Sequence, residues 1–187
     1  IKVNHPEPSP YLTTQRLGTY NEDQTIIAYP EQGIVVIEQL EDGQQWRVDT
    51  QGNRVSFTPK GQLMWTVSDS EVSWQSRRTE VWLADINGSN TQLIAPLVRS
   101  NPVTWLSEEK LLVSGRDQDS DDRLLSILTV DDGILTDLVR LPNARDTTLS
   151  PNKQLMIYMS RFNADPTKNG LWLLDLQAPQ QAPQKLP

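Results

Sequence analysis

The sequence predicts an all-β chain built from four repeated units, each made of four short antiparallel strands. Three observations lead to this prediction: a motif recurs at a constant spacing, apolar residues alternate with a period of two, and turn residues divide the chain into short segments. No segment longer than two turns has a convincing helical period. With 36% hydrophobic residues and six Trp among 187 residues, the chain is able to bury a core.

Two sequence markers recur in one register. The segment TPKGQLM at 58–64 matches SPNKQLM at 150–156 at an offset of 92 residues, which is two periods of 46. The segment VWLADI at 81–86 resembles LWLLDL at 171–176. The last apolar residue of this second marker has equivalents that are spaced by 46, 44 and 46 residues, at Leu40, Ile86, Val130 and Leu176. Both markers therefore count four units.

Within each unit the apolar pattern predicts strands separated by turns. The first unit carries only an eroded copy of the first marker, at 20–27, and a weak copy of the second, at 36–40. The second unit has strands at 54–58, 62–68, 80–86 and 91–95. The third unit has strands at 102–106, 110–115, 124–130 and 135–140. The fourth unit has strands at 147–150, 154–159, 171–176 and 184–186. Asp-Gly and Asn-Gly pairs supply the positive φ of tight hairpin turns, at 42–43, 87–88 and 132–133.

Four-stranded units of about 45 residues are typical of propeller blades, because one small sheet buries its faces only when neighbours pack against it. The pattern Thr-Pro-Lys-Gly at 58–61 followed by Val-Trp-Leu-Ala-Asp-Ile-Asn-Gly at 81–88 resembles the WD40-like (PD40-type) repeats of TolB-like β-propellers. Similar repeats occur in the propeller domains of the prolyl oligopeptidase and dipeptidyl peptidase families. The resemblance covers about residues 15–187 and implies an all-β propeller fold.

The predicted fold divides the chain into a Pro-rich lead-in and four blades. The lead-in is predicted at 1–14, and the blades at about 15–50, 51–97, 98–142 and 143–187. Four blades form either a small ring or part of a larger propeller. The start at Ile1 and the Gln-, Ala- and Pro-rich tail at 177–184 favour the second possibility. An open arc would need a partner, a missing segment or self-association to cover its edges.

Composition excludes several classes of function. The net charge of −7 and the pI of about 4.7 disfavour binding to phosphate backbones, so no nucleic-acid partner is expected. The absence of Cys excludes disulfides, thiol nucleophiles and Cys-ligated metals. The single histidine, His5, lies in the Pro-rich amino-terminal stretch, which excludes a Ser-His-Asp triad within this chain and a site with several His ligands, and we expect it to be a solvated residue. No apolar stretch is long enough to span a membrane.

The candidate binding residues lie on the loops that join the second and third strands. In propellers these loops share a face with the connections between blades, and they are long in units two to four, at 69–79, 116–123 and 161–170. Trp and Arg dominate interface hot spots. We therefore select Trp74, Arg77, Arg78, Arg116 and Arg161 as candidate partner-binding residues. The alternative for Trp74 is a loop folded onto its own blade.

The loop 117–122 resembles the start of a calcium loop. Asp117, Asp119 and Asp121 alternate along it, and carboxylates at this spacing can wrap around a hard cation. The loop lacks the Gly at its sixth position and the Glu at its twelfth, where Leu128 stands. A solvated acidic loop flanked by Arg116 and Arg123 is the alternative, and no other cofactor is expected.

The sequence predicts a non-catalytic scaffold for protein–protein interaction. We find no Gly-x-Ser-x-Gly nucleophile turn in the chain. The TolB resemblance implies a bacterial, extracytoplasmic protein whose partner docks on the loop face or in the central channel. Two alternatives stay open: the propeller portion of a larger peptidase or glycan-active hydrolase that gates substrate access, and a calcium- or sugar-binding propeller.

Overall fold

The structure is a computed structural model that describes residues 18–51, 54–69, 71–117, 119–120 and 122–187. The predicted lead-in at 1–14 lies outside this range. The described residues form sixteen β-strands and two 3₁₀ helices, Trp74–Ser76 and Pro166–Lys168. No helix among them is long and apolar enough to cross a membrane.

The strands form four antiparallel sheets, and each sheet contains four strands that are consecutive in sequence. We call each sheet a blade. Blade 1 contains β1 (Thr19–Tyr20), β2 (Ile26–Glu31), β3 (Ile34–Gln39) and β4 (Gln45–Asp49). Blade 2 contains β5 (Arg54–Phe57), β6 (Leu63–Ser68), β7 (Arg78–Ala84) and β8 (Gln92–Val98).

Blades 3 and 4 repeat this order. Blade 3 contains β9 (Ser100–Trp105), β10 (Lys110–Arg116), β11 (Arg123–Thr129) and β12 (Ile134–Leu141). Blade 4 contains β13 (Ala144–Leu149), β14 (Leu155–Ser160), β15 (Gly170–Asp175) and β16 (Gln184–Lys185). The predicted all-β fold of four-stranded antiparallel blades is confirmed. The strand ends differ from the predicted ones by a few residues, as β8 shows by continuing to Val98.

The chain divides into two compact units, and the boundary runs through blade 2. Unit 1 comprises the described residues up to Val67 together with Leu83–Gln92, and unit 2 comprises those of Ser68–Trp82 and Leu93–Pro187. A core cluster in unit 1 contains Ile27, Tyr29 and Val36, with Ile34 packed against it. In unit 2 a larger cluster joins residues of blades 3 and 4: Leu112, Leu125, Leu141, Ala144, Met156, Tyr158 and Leu174. Blades 3 and 4 thus bury apolar faces against each other, as neighbouring repeats do.

The predicted Asn-Gly and Asp-Gly turns are confirmed. Gly88 has φ +82° and Gly133 has φ +69°, a region that L side chains rarely adopt. Space adds a second reason for glycine at both positions. A Cβ on Gly88 would lie 2.9 Å from a methyl carbon of Val48, and a Cβ on Gly133 would lie 2.5 Å from the Ile94 carbonyl oxygen.

The first sequence marker has one hydrogen-bonding pattern in two blades. The Thr58 carbonyl accepts the amide of Gly61 at 2.9 Å, and the Ser150 carbonyl accepts the amide of Lys153 at 2.8 Å. The side-chain hydroxyl of each first residue also accepts a backbone amide, that of Gln62 for Thr58 and that of Leu155 for Ser150. The marker therefore encodes the turn between the first two strands of a blade.

Candidate functional site

The connections between blades and the loops between second and third strands lie on the same side of unit 2. Arg99, between β8 and β9, donates its amide to the Arg77 carbonyl at 3.0 Å, just before β7. Its own carbonyl accepts the amide of Arg116, the last residue of β10, at 3.2 Å. Asn143, between β12 and β13, accepts the amide of Arg161 at 3.4 Å. We call this side of unit 2 the loop face, and it carries most of the predicted binding residues.

Trp74 and Arg77 form one local cluster on the loop face. Trp74 opens the 3₁₀ turn Trp74–Ser76, and the Arg77 guanidinium carbon lies 5.8 Å from the centroid of the indole ring. Arg77 also donates from Nη2 to the carbonyl of Val72 at 3.2 Å. The Nε1 atom of Trp74 is buried and has no hydrogen-bond partner among the described residues. The loop is therefore folded back on itself, and Trp74 is half-buried.

A cavity of about 240 Å³ opens beside Trp74. Its other walls come from the start of β9, the end of β10 and the start of β11. The side chains that define its character are Trp74, Asn101, Pro102, Val103, Arg116 and Arg123. The structure thus brings together two of the predicted residues, Trp74 and Arg116. It adds Arg123, which the sequence identified only as the flank of an acidic loop.

Arg123 is the half-buried cation of this cavity. Its Nη1 donates to Ser114 Oγ at 2.7 Å, and its Nε donates to the Ala144 carbonyl at 3.4 Å. Desolvation by burial lowers the pKa of Arg123, and the charge of Asp146 partly offsets this shift. The two hydrogen bonds hold the guanidinium in place at the boundary between blades 3 and 4.

Asn101 belongs to a short polar chain that ends at the cavity. Thr79, which is buried, donates from Oγ1 to Asn101 Oδ1 at 3.3 Å, and its hydroxyl also lies 2.9 Å from Ser68 Oγ. This contact assigns the carbonyl oxygen of the Asn101 amide to Thr79. The amide NH₂ group is then directed to the other side of the side chain.

The two remaining predicted arginines do not line the cavity. Arg78 is an exposed residue at the start of β7. Arg161 directly follows β14, and its Nη2 lies 3.5 Å from Asp146 Oδ2 in an exposed ion pair. Such a pair contributes little to stability. Of the five predicted residues, Trp74 and Arg116 line the cavity, Arg77 lies over the Trp74 ring, and Arg78 and Arg161 lie apart from it.

The acidic loop is organised around Asp117. This carboxylate is buried, and its Oδ1 accepts the amides of Asp119 and Ser120 at 2.9 and 3.0 Å. Its Oδ2 forms an ion pair with Arg140 at 2.5 Å. These contacts lower the pKa of Asp117, with the Ser120 and Asp119 amides as the largest causes. Both oxygens are therefore already engaged within the protein.

The predicted calcium ligands are only partly described by the structure. Asp119 is exposed, and Asp121 lies outside the described residues. Across the described part of the chain, no group of three or more acidic or histidine side chains is placed to hold a metal ion. Asp117 therefore acts in this structure as the cap of its own loop.

Phe162 is a surface feature that sequence reasoning missed. Its side chain is 84% exposed, and its φ of +62° is unusual for a bulky residue. The next residue, Asn163, holds the loop: its amide donates to Asn169 Oδ1 at 3.0 Å, its Nδ2 donates to Ser160 Oγ at 2.8 Å, and its Oδ1 accepts from Asn143 at 3.0 Å. No sequence pattern marked Phe162, because a single exposed aromatic residue on a loop belongs neither to the repeated markers nor to the apolar alternation of the strands.

The strand tryptophans and the Asp of the second marker belong to the framework of the blades. Five tryptophans lie on strands: Trp46, Trp65, Trp82, Trp105 and Trp172. Asp85, in the second marker, accepts hydrogen bonds from Ser89 and Asn90 within its turn. These contacts give Asp85 a structural role within its turn.

Comparison with known proteins identifies the fold. No protein-family model matches the chain, and no curated protein sequence matches it. Among solved structures, a protein assigned as TolB from Agrobacterium tumefaciens aligns with a TM-score of 0.57 at 14% identity, over 92% of this chain and 61% of that one. The β-propeller domain of the Trilobed protease from Pyrococcus furiosus aligns with a TM-score of 0.58 at 14% identity, over 90% and 55%. The Pyrococcus horikoshii acylaminoacyl peptidase aligns with a TM-score of 0.57 at 13% identity, over 86% and 30%.

The chain has a TolB-like, peptidase-type β-propeller fold. The predicted resemblance is thereby confirmed at the level of fold. The chain spans about three fifths of the length of the TolB structure and just over half of the protease propeller. At identities of 13–14%, these similarities describe architecture and leave activity to the residues of this chain.

Proposed function

We propose that this propeller is a non-catalytic scaffold for protein–protein interaction in the bacterial cell envelope. The observation that carries the proposal is the presentation of Phe162 on the loop face. An aromatic ring that is 84% exposed gains almost nothing from burial in its own fold. A left-handed backbone at a bulky residue costs free energy, and such strain concentrates at sites of function.

The surroundings of Phe162 favour a rigid anchor. Asn163 ties the loop to Ser160 and Asn169, and Asn143 ties it to the connection between blades 3 and 4. A side chain held in advance loses less conformational entropy on binding, which is how aromatic anchors dominate protein interfaces. Arg161 beside it, with Arg78 and Arg77 elsewhere on the loop face, would form a cationic surround.

A capture experiment tests this proposal. The chain is immobilised and exposed to an envelope extract of the source organism, and the retained proteins are identified by mass spectrometry. We expect Phe162→Gly to weaken retention of the partner at least about thirtyfold, because aromatic hot spots contribute about 2 kcal/mol or more. Phe162→Tyr restores the ring and should restore retention.

The matched control is Ile134→Ala. Ile134 is also an exposed apolar residue, 56% exposed, but it lies on the outer strand β12 away from the loop face. Its substitution should leave retention unchanged. A partner that is retained equally by Phe162→Gly and by the unmodified chain would refute the proposed anchor.

Two further observations support the envelope location and the lack of catalysis. The TolB fold supports an extracytoplasmic setting, and the absence of a Gly-x-Ser-x-Gly turn from the sequence supports a scaffold. Fractionation of the source cells tests the location. Recovery of the protein with the cytoplasmic fraction would contradict it.

The second candidate is the propeller portion of a larger hydrolase that gates substrate access. The likeness to the acylaminoacyl peptidase, of which this chain covers 30%, favours it. The sequence of the complete gene separates the two candidates. A downstream Gly-x-Ser-x-Gly segment with esterase or peptidase activity in the full protein would replace the scaffold proposal.

A further inference from the structure

The cavity beside Trp74 has an electrostatic character that differs from the rest of the chain. Two of its lining residues, Arg116 and Arg123, are cations, and none of the lining residues that the structure describes is Asp or Glu. The whole chain carries a net charge of −7. A concave site lined by positive charge without a negative one focuses a field that attracts anions.

The guanidinium of Arg123 is the group in this cavity that is best placed to bind an anion. Burial lowers the pKa of its guanidinium, so the protein has partly removed this charge from water. Its hydrogen bonds go to two neutral acceptors, Ser114 Oγ and the Ala144 carbonyl, and it makes no ion pair with the described residues. Charges withdrawn from water are normally paired, whereas half-buried Arg123 is offset only in part, by the charge of Asp146. A guanidinium has five N–H donors, so donors remain for a ligand.

The other walls select the shape of that anion. Trp74, Pro102 and Val103 supply apolar surface beside the two arginines. The planar fork of a guanidinium matches the two oxygens of a carboxylate. A volume of about 240 Å³ is below the range of cavities for drug-sized ligands and accommodates one side chain.

We propose that this cavity binds a carboxylate carried on a short hydrocarbon stem, as in a glutamate side chain or glutarate. Arg123 and Arg116 receive the carboxylate, and the Trp74 ring with Pro102 and Val103 covers the methylene groups. The inference does not depend on the proposed function, because a free dicarboxylate and an acidic side chain of a protein offer the same chemistry.

The indole N–H signals in a ¹H–¹⁵N correlation spectrum provide the test. The signal that disappears in Trp74→Phe is that of Trp74, which reports on the cavity wall. We expect this signal to shift on titration with glutarate or with the blocked peptide acetyl-Ala-Glu-Ala-amide. The neutral peptide acetyl-Ala-Gln-Ala-amide at matched ionic strength should leave it in place.

Variants connect the shift to the cavity. Arg116→Gln should weaken carboxylate binding at least about tenfold, because one charge-assisted contact is lost. Arg123→Lys keeps the charge but loses the planar fork, and should also weaken binding. The control Arg47→Gln removes the same charge from an exposed residue on β4 in unit 1 and should have no effect.

Each outcome decides for or against the proposal. Tighter binding of the Glu peptide than of glutarate supports the site and assigns it to an acidic side chain of a protein. Equal or tighter binding of glutarate supports the site and assigns it to a free carboxylate. No shift at tens of millimolar, an equal shift with the Gln peptide, tighter binding of inorganic phosphate, or unchanged affinity in both arginine variants would overturn it. Phe162→Gly should bind these probes normally, so failure here is distinct from failure of the proposed anchor.

Discussion

Replacement of Phe162 by glycine should leave the propeller as stable as before, which is unusual for the loss of an aromatic ring. The side chain is 84% exposed, so the burial lost is about one sixth of the 1.5–3 kcal/mol for a fully buried ring, or less than about 0.5 kcal/mol. Glycine adopts the left-handed backbone at φ +62° without the strain that Phe162 has there, which raises the free energy of unfolding by about 1–2 kcal/mol.

The remaining contribution comes from the unfolded chain. Glycine has more freedom to lose on folding, which costs about 0.5–1 kcal/mol. The three contributions for Phe162→Gly sum to a change in the free energy of unfolding between about −0.5 and +1.5 kcal/mol. By contrast, Leu112 is fully buried in the cluster that joins blades 3 and 4, and Leu112→Ala should lose about 2–5 kcal/mol.

Urea denaturation followed by tryptophan fluorescence measures both changes. We expect the midpoint for Phe162→Gly to stay close to that of the unmodified chain and the midpoint for Leu112→Ala to fall clearly. A loss of more than about 2 kcal/mol in Phe162→Gly would mean that the ring packs against the protein. That result would refute the description of Phe162 as a presented anchor.

Three further predictions concern residues in or near unit 2's loop face and core. Burial raises the pKa of Tyr158 to about 12 from an ordinary value near 10, so stability should fall as the pH rises above about 10, and Tyr158→Phe should remove this fall in alkaline urea titrations. The pKa of Asp117 is lowered, so its contribution is complete above about pH 4 and is lost as the pH falls through its folded-state pKa; Asp117→Asn should flatten the acid limb of the stability curve, and an unchanged limb would contradict this. A Cβ on Gly115 would lie 2.9 Å from the Arg99 carbonyl oxygen and closer still to Ser100, so Gly115→Ala should cost about 1–3 kcal/mol in the same assay; a neutral result would mean that β9 and β10 separate easily.

The sequence was sufficient for the architecture because each part of it is local. The Asn-Gly pair at 87–88 specifies its hairpin turn through φ alone, and the Thr58 and Ser150 motifs specify theirs through a hydroxyl that caps the next strand. The alternation of apolar residues predicts the strands themselves, since a strand with one buried face has a period of two. The four-blade prediction therefore follows from short-range rules.

The candidate sites depend on contacts that no local pattern contains. Trp74 and Arg116 were predicted, but their meeting in one cavity depends on how the loop 69–77 folds against blade 3. Arg123 was identified only as a flank of the acidic loop, whereas its half-buried position follows from contacts with Ser114 and Ala144. Residues far apart in sequence determine both features, so sequence reasoning could propose the surface but not its chemistry.

Backbone hydrogen bonds attach the connections between blades to the loops between second and third strands. Gln51, Arg99 and Asn143 each adopt a left-handed backbone, with φ of +47°, +52° and +51°, although none is glycine. The amides of Gln51 and Arg99 bond to the carbonyls that precede the third strands of their blades, at Gly33 and Arg77. A loop fixed at its ends by backbone hydrogen bonds can change its length and side chains without disturbing the sheet.

This attachment also explains where the two proposed sites lie. Phe162 directly follows Arg161, whose amide bonds to Asn143, and the cavity residue Arg116 bonds to Arg99 through its own amide. Phe162 is therefore the residue after such a backbone hydrogen bond, and Arg116 makes one itself. The sheet supplies the rigidity there, while the loop residues beyond the attachment supply the recognition chemistry. For a propeller of this type, the residues next to these attachments are the ones to substitute when a partner or ligand is sought.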